Sequence, residues 1–480
     1  MGGGGAAGND DFKLVGHKNF VRNNPRSDRF TVHRFHHIEF WCSDATNTYK
    51  RFQHGLGMTL VAKSDQSTGN STFASYVLRS NDLVFTFTAP YSRQVAGNSG
   101  VGCVPLPHYD AAGAHEFVTK HGLAVRAVGL VVDDASAAFE ASVQGGGRPA
   151  LPPTALPGSA AAAGGAEQQV IAEVMLYGDV VLRYVSGAFT GPFLAGYTEV
   201  TDAPAISFGL QRLDHAVGNV PQLGPAVKYI MGFTGFHEFA EFVAEDVGTL
   251  DSGLNSVVLA NNNEYVLLPV NEPTFGTPRK SQIQTYLEQN EGAGLQHLAL
   301  KTSDIFGTLR QMQARSECGG FEFMPRPSDK YYEALPGKVA GELSTEQLAE
   351  CKELGILVDR DDQGLLLQIF TKPLGDRATI FIEIIQRVGC MLTSGPSPLS
   401  KAASGPTMPE AIIASAAAQA APEPSQTDRS QAEVAHPAAT KLPHSTPPGE
   451  DQAAGCGGFG KGNFSELFKR IEDYERTLTV

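Results

Sequence analysis

No run of the chain approaches the roughly 18 consecutive apolar residues that a membrane-spanning helix needs, so none is expected. The six cysteines, Cys42, Cys103, Cys318, Cys351, Cys390 and Cys456, nowhere show CxxC spacing, which argues against a disulfide framework and a structural zinc site. Positive charge is scarce: 37 Lys and Arg face 51 Asp and Glu, without a dense basic stripe, so a nucleic-acid surface has no support. The opening residues, "MGGGGAAGNDDFKL", carry neither an Arg-rich amphipathic pattern nor an apolar leader. These absences point to a cytoplasmic protein with small-molecule partners and no membrane or nucleic-acid role.

What is present is ample core material, 42% apolar and 9% aromatic residues in 480, enough for more than one domain. Composition divides the chain into a flexible N-terminus (1–28), a first domain (29–200), a second (205–393), an Ala/Pro/Ser-rich segment without aromatics (394–455) and a C-terminal helix (456–480). The 394–455 segment cannot bury enough surface to offset its ordering entropy. A Gly/Ala/Pro stretch at about 145–165 reads as a flexible insertion.

The two domains repeat each other. "HRFHHIEFWCSDATN" parallels "QRLDHAVGNVPQLGP"; "SYVLRSNDLVFTFTAPY" parallels "NSVVLANNNEYVLLPVNEP", each two β-rich runs around an Asn-containing turn. "RAVGLVVDDASAAFEAS" parallels "LQHLALKTSDIFGTLRQM", strand then helix, and "DVVLRYVS" parallels "TIFIEIIQR". Aligned so, three strands of the second half carry His215, His297 and Glu383 where the first half has His37, Val128 and Arg183. A lone histidine on an apolar strand is ordinarily a core residue. A carboxylate on the matching strand turns the trio into metal ligands. Two imidazoles and a carboxylate leave three adjacent positions open, as in non-haem Fe(II) oxygenases, whereas catalytic zinc usually keeps one. A rival H-x-D string, His108 and Asp110, lies between prolines and glycine with no β run around it, and the His37, Phe40, Trp41 cluster reads as core.

The strings "LDHAVGNVP", "GFTGFHEFAEF", "GLNSVVLANN", "SQIQTYLEQNEGAGLQHLAL", "ILVDRDDQGLLLQIFTKPLGDR", "FIEIIQRVGC" and "GGFGKGNFSELFKRIEDYE" together resemble the 4-hydroxyphenylpyruvate dioxygenases of plants and green algae. The resemblance implies an α+β vicinal-oxygen-chelate fold, two similar domains of paired βαβββ modules with a C-terminal lid helix. It also implies one Fe(II) per chain on His215, His297 and Glu383, and conversion of 4-hydroxyphenylpyruvate and O2 to homogentisate and CO2. A homodimer is expected, and the plastid becomes an alternative compartment. Two rivals remain: 4-hydroxymandelate synthase on the same fold, and a non-catalytic small-molecule-binding protein of this fold.

Period-two alternation in "LLLQIF" puts Gln368 and Phe370 on one face. In "SQIQTY", Gln282 and Gln284 share a face. The resemblance favours Gln282, Gln296 and Gln368, with Ser256 and Asn271, as the catalytic polar surface. Gln296, next to His297, should point away from it in a regular strand. Phe370, Phe381, Phe459, Phe464 and Asn463 are the expected substrate contacts. In the C-terminal motif Asn463 and Glu466 form an N-x-x-E capping box ahead of an apolar helical face, and the helix is expected to close over the ligand from Phe459 and Phe464.

Overall fold

The computed structural model describes residues 12–478 apart from 94–104, 107, 158–167, 190, 248–252, 340, 362–363 and 390–459, and excludes the side chains of 247, 464–465 and 478. The proposed low-complexity segment 394–455 therefore lies outside the described residues.

The first half forms β1 (Val32–Trp41), β2 (Thr59–Ser64), β3 (Phe73–Ser80), β4 (Leu83–Pro90), β5 (Ala124–Val132), β6 (Pro149–Ala155), β7 (Val170–Tyr177), β8 (Val180–Ser186) and β9 (Thr198–Glu199), in the order β6-β7-β8-β5-β1-β4-β3-β2-β9. The second forms β10 (Leu210–Asn219), β11 (His237–Phe242), β12 (Leu254–Ala260), β13 (Leu267–Pro273), β14 (Gly294–Thr302), β15 (Leu357–Asp361), β16 (Gly364–Phe370) and β17 (Phe381–Gly389), in the order β11-β12-β13-β10-β14-β17-β16-β15. The helices are α1 (Ala45–Leu56), α2 (Ala111–His121), α3 (Ala135–Gln144), α4 (Leu223–Thr234), α5 (Ala244–Val247), α6 (Gln282–Gln289), α7 (Ile305–Gln313), α8 (Asp329–Lys338), α9 (Thr345–Leu354) and α10 (Lys461–Leu478).

Each sheet contains one unit twice. From β1 the chain crosses through α1 to β2, β3 and β4, and β4 returns parallel to β1; β5 through α3 to β8 does the same. The units join where β1 and β5 run antiparallel. In the second half β10 pairs parallel with β13, β14 parallel with β17, and β10 antiparallel with β14. A parallel return needs a crossover, which the helix of each unit supplies. This is the α+β vicinal-oxygen-chelate architecture of paired βαβββ modules.

Short acidic side chains start the helices: Asp44, Asp110, Asp134 and Asp304 accept backbone N–H bonds at the N-termini of α1, α2, α3 and α7. Asp110 of the H-x-D string is therefore a cap. Helix α4 has no side-chain cap of its own, and Glu272 from β13 accepts the Leu223 N–H at 2.7 Å instead. The largest core cluster runs through both halves, and Phe52 of α1 packs edge-on against Phe321 at 4.9 Å.

Three expectations change here. Residues 149–155 of the presumed insertion are strand β6, paired with β7 through two register shifts. Its prolines are tolerated because β6 is the outermost strand, where missing N–H donors cost little. Residues 12–28 have no regular structure but are fastened to the second half. The Val15 N–H donates to Glu241 (2.8 Å), the Asn24 amide to the Asn262 carbonyl (2.9 Å), and the Arg22 guanidinium lies over the Phe239 ring at 3.8 Å. Finally, the registers correct the internal alignment. Ala127 pairs with Val181 as His297 pairs with Phe381, and Gly129 faces Arg183 as Ala299 faces Glu383. The first-half counterpart of His297 is thus Ala127, not Val128. The bulges of the two central pairs fall at matching positions, so they leave this match unchanged.

The same registers show what fills the first half's equivalent site. The Arg183 guanidinium is buried between Glu39 (Nη2 to Oε2, 2.7 Å) and Glu173 (Nε to Oε1, 2.7 Å), and its Nη1 donates to Nε2 of His37 at 3.1 Å. Burial, then the neighbouring His36 and Arg183, hold His37 well below the usual histidine range, so it is neutral and can accept that bond. Replacing Arg183 by Ala would strand two buried carboxylates. The expected cost is about 3–5 kcal/mol of stability, measured by denaturant unfolding, with metal content of the second half unchanged. A loss below about 1 kcal/mol, the range of a surface pair, would refute the assignment.

Candidate metal centre

Strands β10, β14 and β17 lie side by side and bring His215, His297 and Glu383 together. His215 faces Ala299 across one pairing and Glu383 faces Ala299 across the next, so the small Ala299 separates the two ligands on the middle strand. Glu383 Oε2 lies 3.3 Å from His215 Nε2 and 3.4 Å from His297 Nε2, all three side chains are at most 12% exposed, and their ligand atoms lie within 4.8 Å of one another.

The other ring nitrogens are already engaged. Asp214 Oδ2 lies 2.9 Å from His215 Nδ1, and Gln296 Oε1 lies 2.9 Å from His297 Nδ1. Both oxygens accept, so each imidazole is fixed as the tautomer whose Nε2 lone pair faces the cluster, the orientation that metal-binding histidines need. Asp214 is in turn clamped by Arg387 of β17 at 2.9 Å. These partners exist because of bulges. Register shifts between Leu213 and His215, and between Val217 and Gly218, bring Asp214 and Gln296 to the same side as their histidines. Gln296 therefore does not point away from His297, contrary to the regular-strand expectation.

Charge in the cluster is set by burial against neighbours. Burial pushes the Glu383 carboxyl up, but hydrogen bonds and charge from His215 and His297 prevail and hold it at about 2. Burial likewise opposes ionisation of Asp214, and Arg387 and His215 hold it well below the usual range. Burial pulls His215 down, yet Asp214 and Glu383 together raise it; His297 stays lowered by burial, only partly opposed by Glu383. Two ionised carboxylates around two imidazoles whose Nε2 atoms face Glu383 are a donor set that fits a divalent metal.

The cluster sits at the end of a cleft holding about 540 Å³ of space between atoms, its mouth included. One wall is apolar and comes from the first unit: Val217, Phe242, Leu254, Val258 and Pro269. The second is aromatic, Phe370 and Phe381, whose rings meet at 75° with centroids 6.1 Å apart while Phe381 stacks on His297 at 4.9 Å. Helix α10 closes the third side with Leu467, Phe468 and Ile471. Five polar side chains interrupt these walls: Ser256, Asn271, Gln282, Gln296 and Gln368. Buried Gln368 Oε1 has no hydrogen-bond partner among the described residues, which marks it as an acceptor for a ligand. Gly460, at φ +70°, leaves room for that amide, since a Cβ there would stand 2.3 Å from the same oxygen.

The structure thus gathers Ser256, Asn271, Gln282, Gln296, Gln368, Phe370 and Phe381 around the trio. Gln282 arrives differently from expected: Ser281 caps helix α6, so Gln282 and Gln284 are not on one strand face. Gln282 is buried, and Gln284 bonds Glu288 outside. Asn463 is neither a cap nor a pocket residue. Helix α10 begins two residues earlier, and the buried Asn463 amide donates to the Tyr331 hydroxyl (2.9 Å) and the Val358 carbonyl (3.1 Å). Asp359 accepts the Gly462 N–H at 2.9 Å and supplies the negative charge at the helix start. Phe459 and the Phe464 side chain lie outside the described residues. Asp214, Phe242 and Phe468 were missed by the sequence reading, although the Asp-His adjacency in "LDHAV" and the helical spacing of Leu467, Phe468 and Ile471 were signals of two of them.

No family model matches the chain. It is 58% identical to 4-hydroxyphenylpyruvate dioxygenase of Daucus carota over 97% of its own length and 92% of the relative's. It is 54% identical to that of Arabidopsis thaliana over 99% and 95%, and 34% identical to that of Danio rerio over 74% and 85%. Among solved structures, a triple mutant of 4-hydroxymandelate synthase from Streptomyces coelicolor matches with a TM-score of 0.61 at 23% identity, covering 75% of this chain and 93% of that one, a likeness of fold.

Replacing His215, His297 or Glu383 by Ala should abolish divalent-metal binding in an anaerobic titration with the fold retained. Asp214→Asn should weaken it by about 10- to 100-fold, the usual effect of removing a ligand's supporting carboxylate. Unchanged affinity in Asp214→Asn would show that the bulge partner does not orient the ligand.

Proposed function

The chain belongs to the 4-hydroxyphenylpyruvate dioxygenase family, non-haem iron dioxygenases, and we propose how its site serves that reaction. His215, His297 and Glu383 would hold one Fe(II). The substrate's 2-oxo acid end would face this cluster, and its ring would enter the corner formed by Phe370 and Phe381. Iron, when bound, supplies the one-electron chemistry with O2 that a protein side chain cannot. The overall conversion takes 4-hydroxyphenylpyruvate and O2 to homogentisate and CO2. Its atoms balance without a second organic substrate, because the 2-oxo acid being decarboxylated supplies the electrons.

The chain's own groups bind, orient and keep the site dry. The unpartnered oxygen of Gln368 is placed to accept a phenol O–H, and the amides of Gln282 and Gln296 with Asn271 and Ser256 offer the remaining polar contacts. Asn271 is itself steadied, its Nδ2 lying 3.2 Å from Asn219 Oδ1 and 3.4 Å from Gln296 Oε1. The apolar face of α10 covers the ring side and excludes water that would divert a reactive intermediate. The observation that carries this reading is the convergence of a His-His-Glu cluster with an aromatic corner and an unsatisfied amide in one buried cleft. The same proposal places the enzyme in a reducing compartment, the cytoplasm, consistent with the free thiols of Cys42, Cys318 and Cys351.

Anaerobically purified protein loaded with Fe(II) should form homogentisate from 4-hydroxyphenylpyruvate and O2, and zinc-loaded protein none. 4-Hydroxymandelate as the product, or full activity with zinc, would overturn the proposal. Phe370→Ala or Phe381→Ala should weaken aromatic ligands by about 1–3 kcal/mol, the order expected for lost buried aromatic contact, with iron content unchanged. Unaltered affinity in both would remove the aromatic corner from the binding site.

A further inference from the structure

The irregular segment before β1 makes contacts too specific for an idle tail. The Val15 and Gly16 N–H groups both donate to Glu241 Oε2, at 2.8 and 3.2 Å. The His17 N–H donates to Asp246 Oδ2 at 2.8 Å, and the His17 ring lies 5.2 Å from that of Phe242, a wall of the metal cleft. Gly16 takes φ +77° there, and a Cβ would stand 3.1 Å from Val243 and 3.2 Å from Asp246, so the strap is seated against α5. The other oxygen of Asp246, Oδ1, accepts from Lys461 Nζ at 3.1 Å. Lys461 is the first residue of α10, whose later turns bring Leu467, Phe468 and Ile471 over the cleft. One carboxylate thereby receives the start of the chain on one oxygen and the start of the covering helix on the other.

We infer that Asp246 is a positioning residue that latches the N-terminal strap to α10, so that closure of the cleft depends on residues 15–17. The inference rests on the reading of α10 as the cover that excludes water. The other ties at the head of α10 run from Gly462 to Asp359 of β15 and from Asn463 to Tyr331, and Lys461 ties it to α5. Without the latch the helix keeps its fold, but its first turn loses its tie to α5 and the strap.

The experiment measures homogentisate formed per O2 consumed, KM and kcat in full-length, iron-loaded protein. Asp246→Asn and Lys461→Met should each raise KM about two- to fivefold, the scale of a partly exposed ion pair, and lower product per O2 with little change in iron content. The double variant should be no worse than either single one. Gly16→Ala, which disturbs the strap where it seats on Val243 and Asp246, should reproduce the uncoupling, and Asp246→Glu should recover most of it. Phe468→Ala serves as the reference. If it uncouples O2 use while Asp246→Asn, Lys461→Met and Gly16→Ala remain as coupled as the wild type, the latch is refuted and the cover stands. If Phe468→Ala itself stays coupled, the cover reading fails and the latch with it. Should Asp246→Asn not fold, additive losses in Lys461→Met combined with Gly16→Ala would refute the latch equally.

Discussion

A buried carboxylate needs a cation, and each half of this chain buries carboxylates at or beside the matching position of its own sheet. In the first half the cation is covalent: Arg183 on β8, bracketed by Glu39 and Glu173. In the second half the matching position on β17 is Glu383, and the registers put Val217 and Phe370 where Glu39 and Glu173 stand. The sign at the centre is inverted and the flanking charges are replaced by apolar groups. The site then lacks a built-in cation, and its apolar flanks become walls. Arg183 closes one site, and its counterpart leaves the other open to a metal and an aromatic ligand.

The rest of the second half keeps that open site in one arrangement. Asp214 and Gln296 fix the imidazoles, Arg387 fixes Asp214, and all three depend on residues brought to one face by β-bulges. Such support is electrostatically demanding, because every member must be satisfied in a low-dielectric interior. The apolar face of α10 adds to the strand walls that line this interior. Its anchors, Asp359 and Asp246, hold the helix start, where negative charge also complements the helix dipole.

Much of this was legible in the residues, and what was not has a common cause. Alternation and turn residues showed the repeated units, and a carboxylate on the strand matching Arg183 singled out His215, His297 and Glu383. Period-two reasoning placed Gln368 and Phe370 on one wall. It failed at Gln296 because a single extra residue in a strand reverses its faces, and no local signal announced the bulge. The Val128 match failed because aligning the halves by apolar pattern set them one residue out of step with the strand registers. Pattern also misjudged Gln282, whose capped helix is only eight residues long, and β6, whose prolines are harmless only because no strand lies beyond it. Asn463 had the right residue type for a cap, yet Tyr331 lay far away in sequence and could not be paired with it by inspection. The strap at residues 12–28 was invisible for the same reason: its partners Glu241, Asp246 and Glu264 are more than 200 positions distant.

The most direct test of one open, cation-demanding site is anaerobic calorimetric titration of the metal-free protein with Fe(II) in buffers of different ionisation enthalpy. Asp214 and Glu383 raise His215 against its burial, and a metal binds only the neutral imidazole, so iron competes with protons for that ring. The expected result is one iron per chain with net proton release that grows as the pH is lowered into the histidine range. Two irons per chain would contradict a first half closed by Arg183, and binding without proton release would contradict the charge arrangement assigned to His215, Asp214 and Glu383.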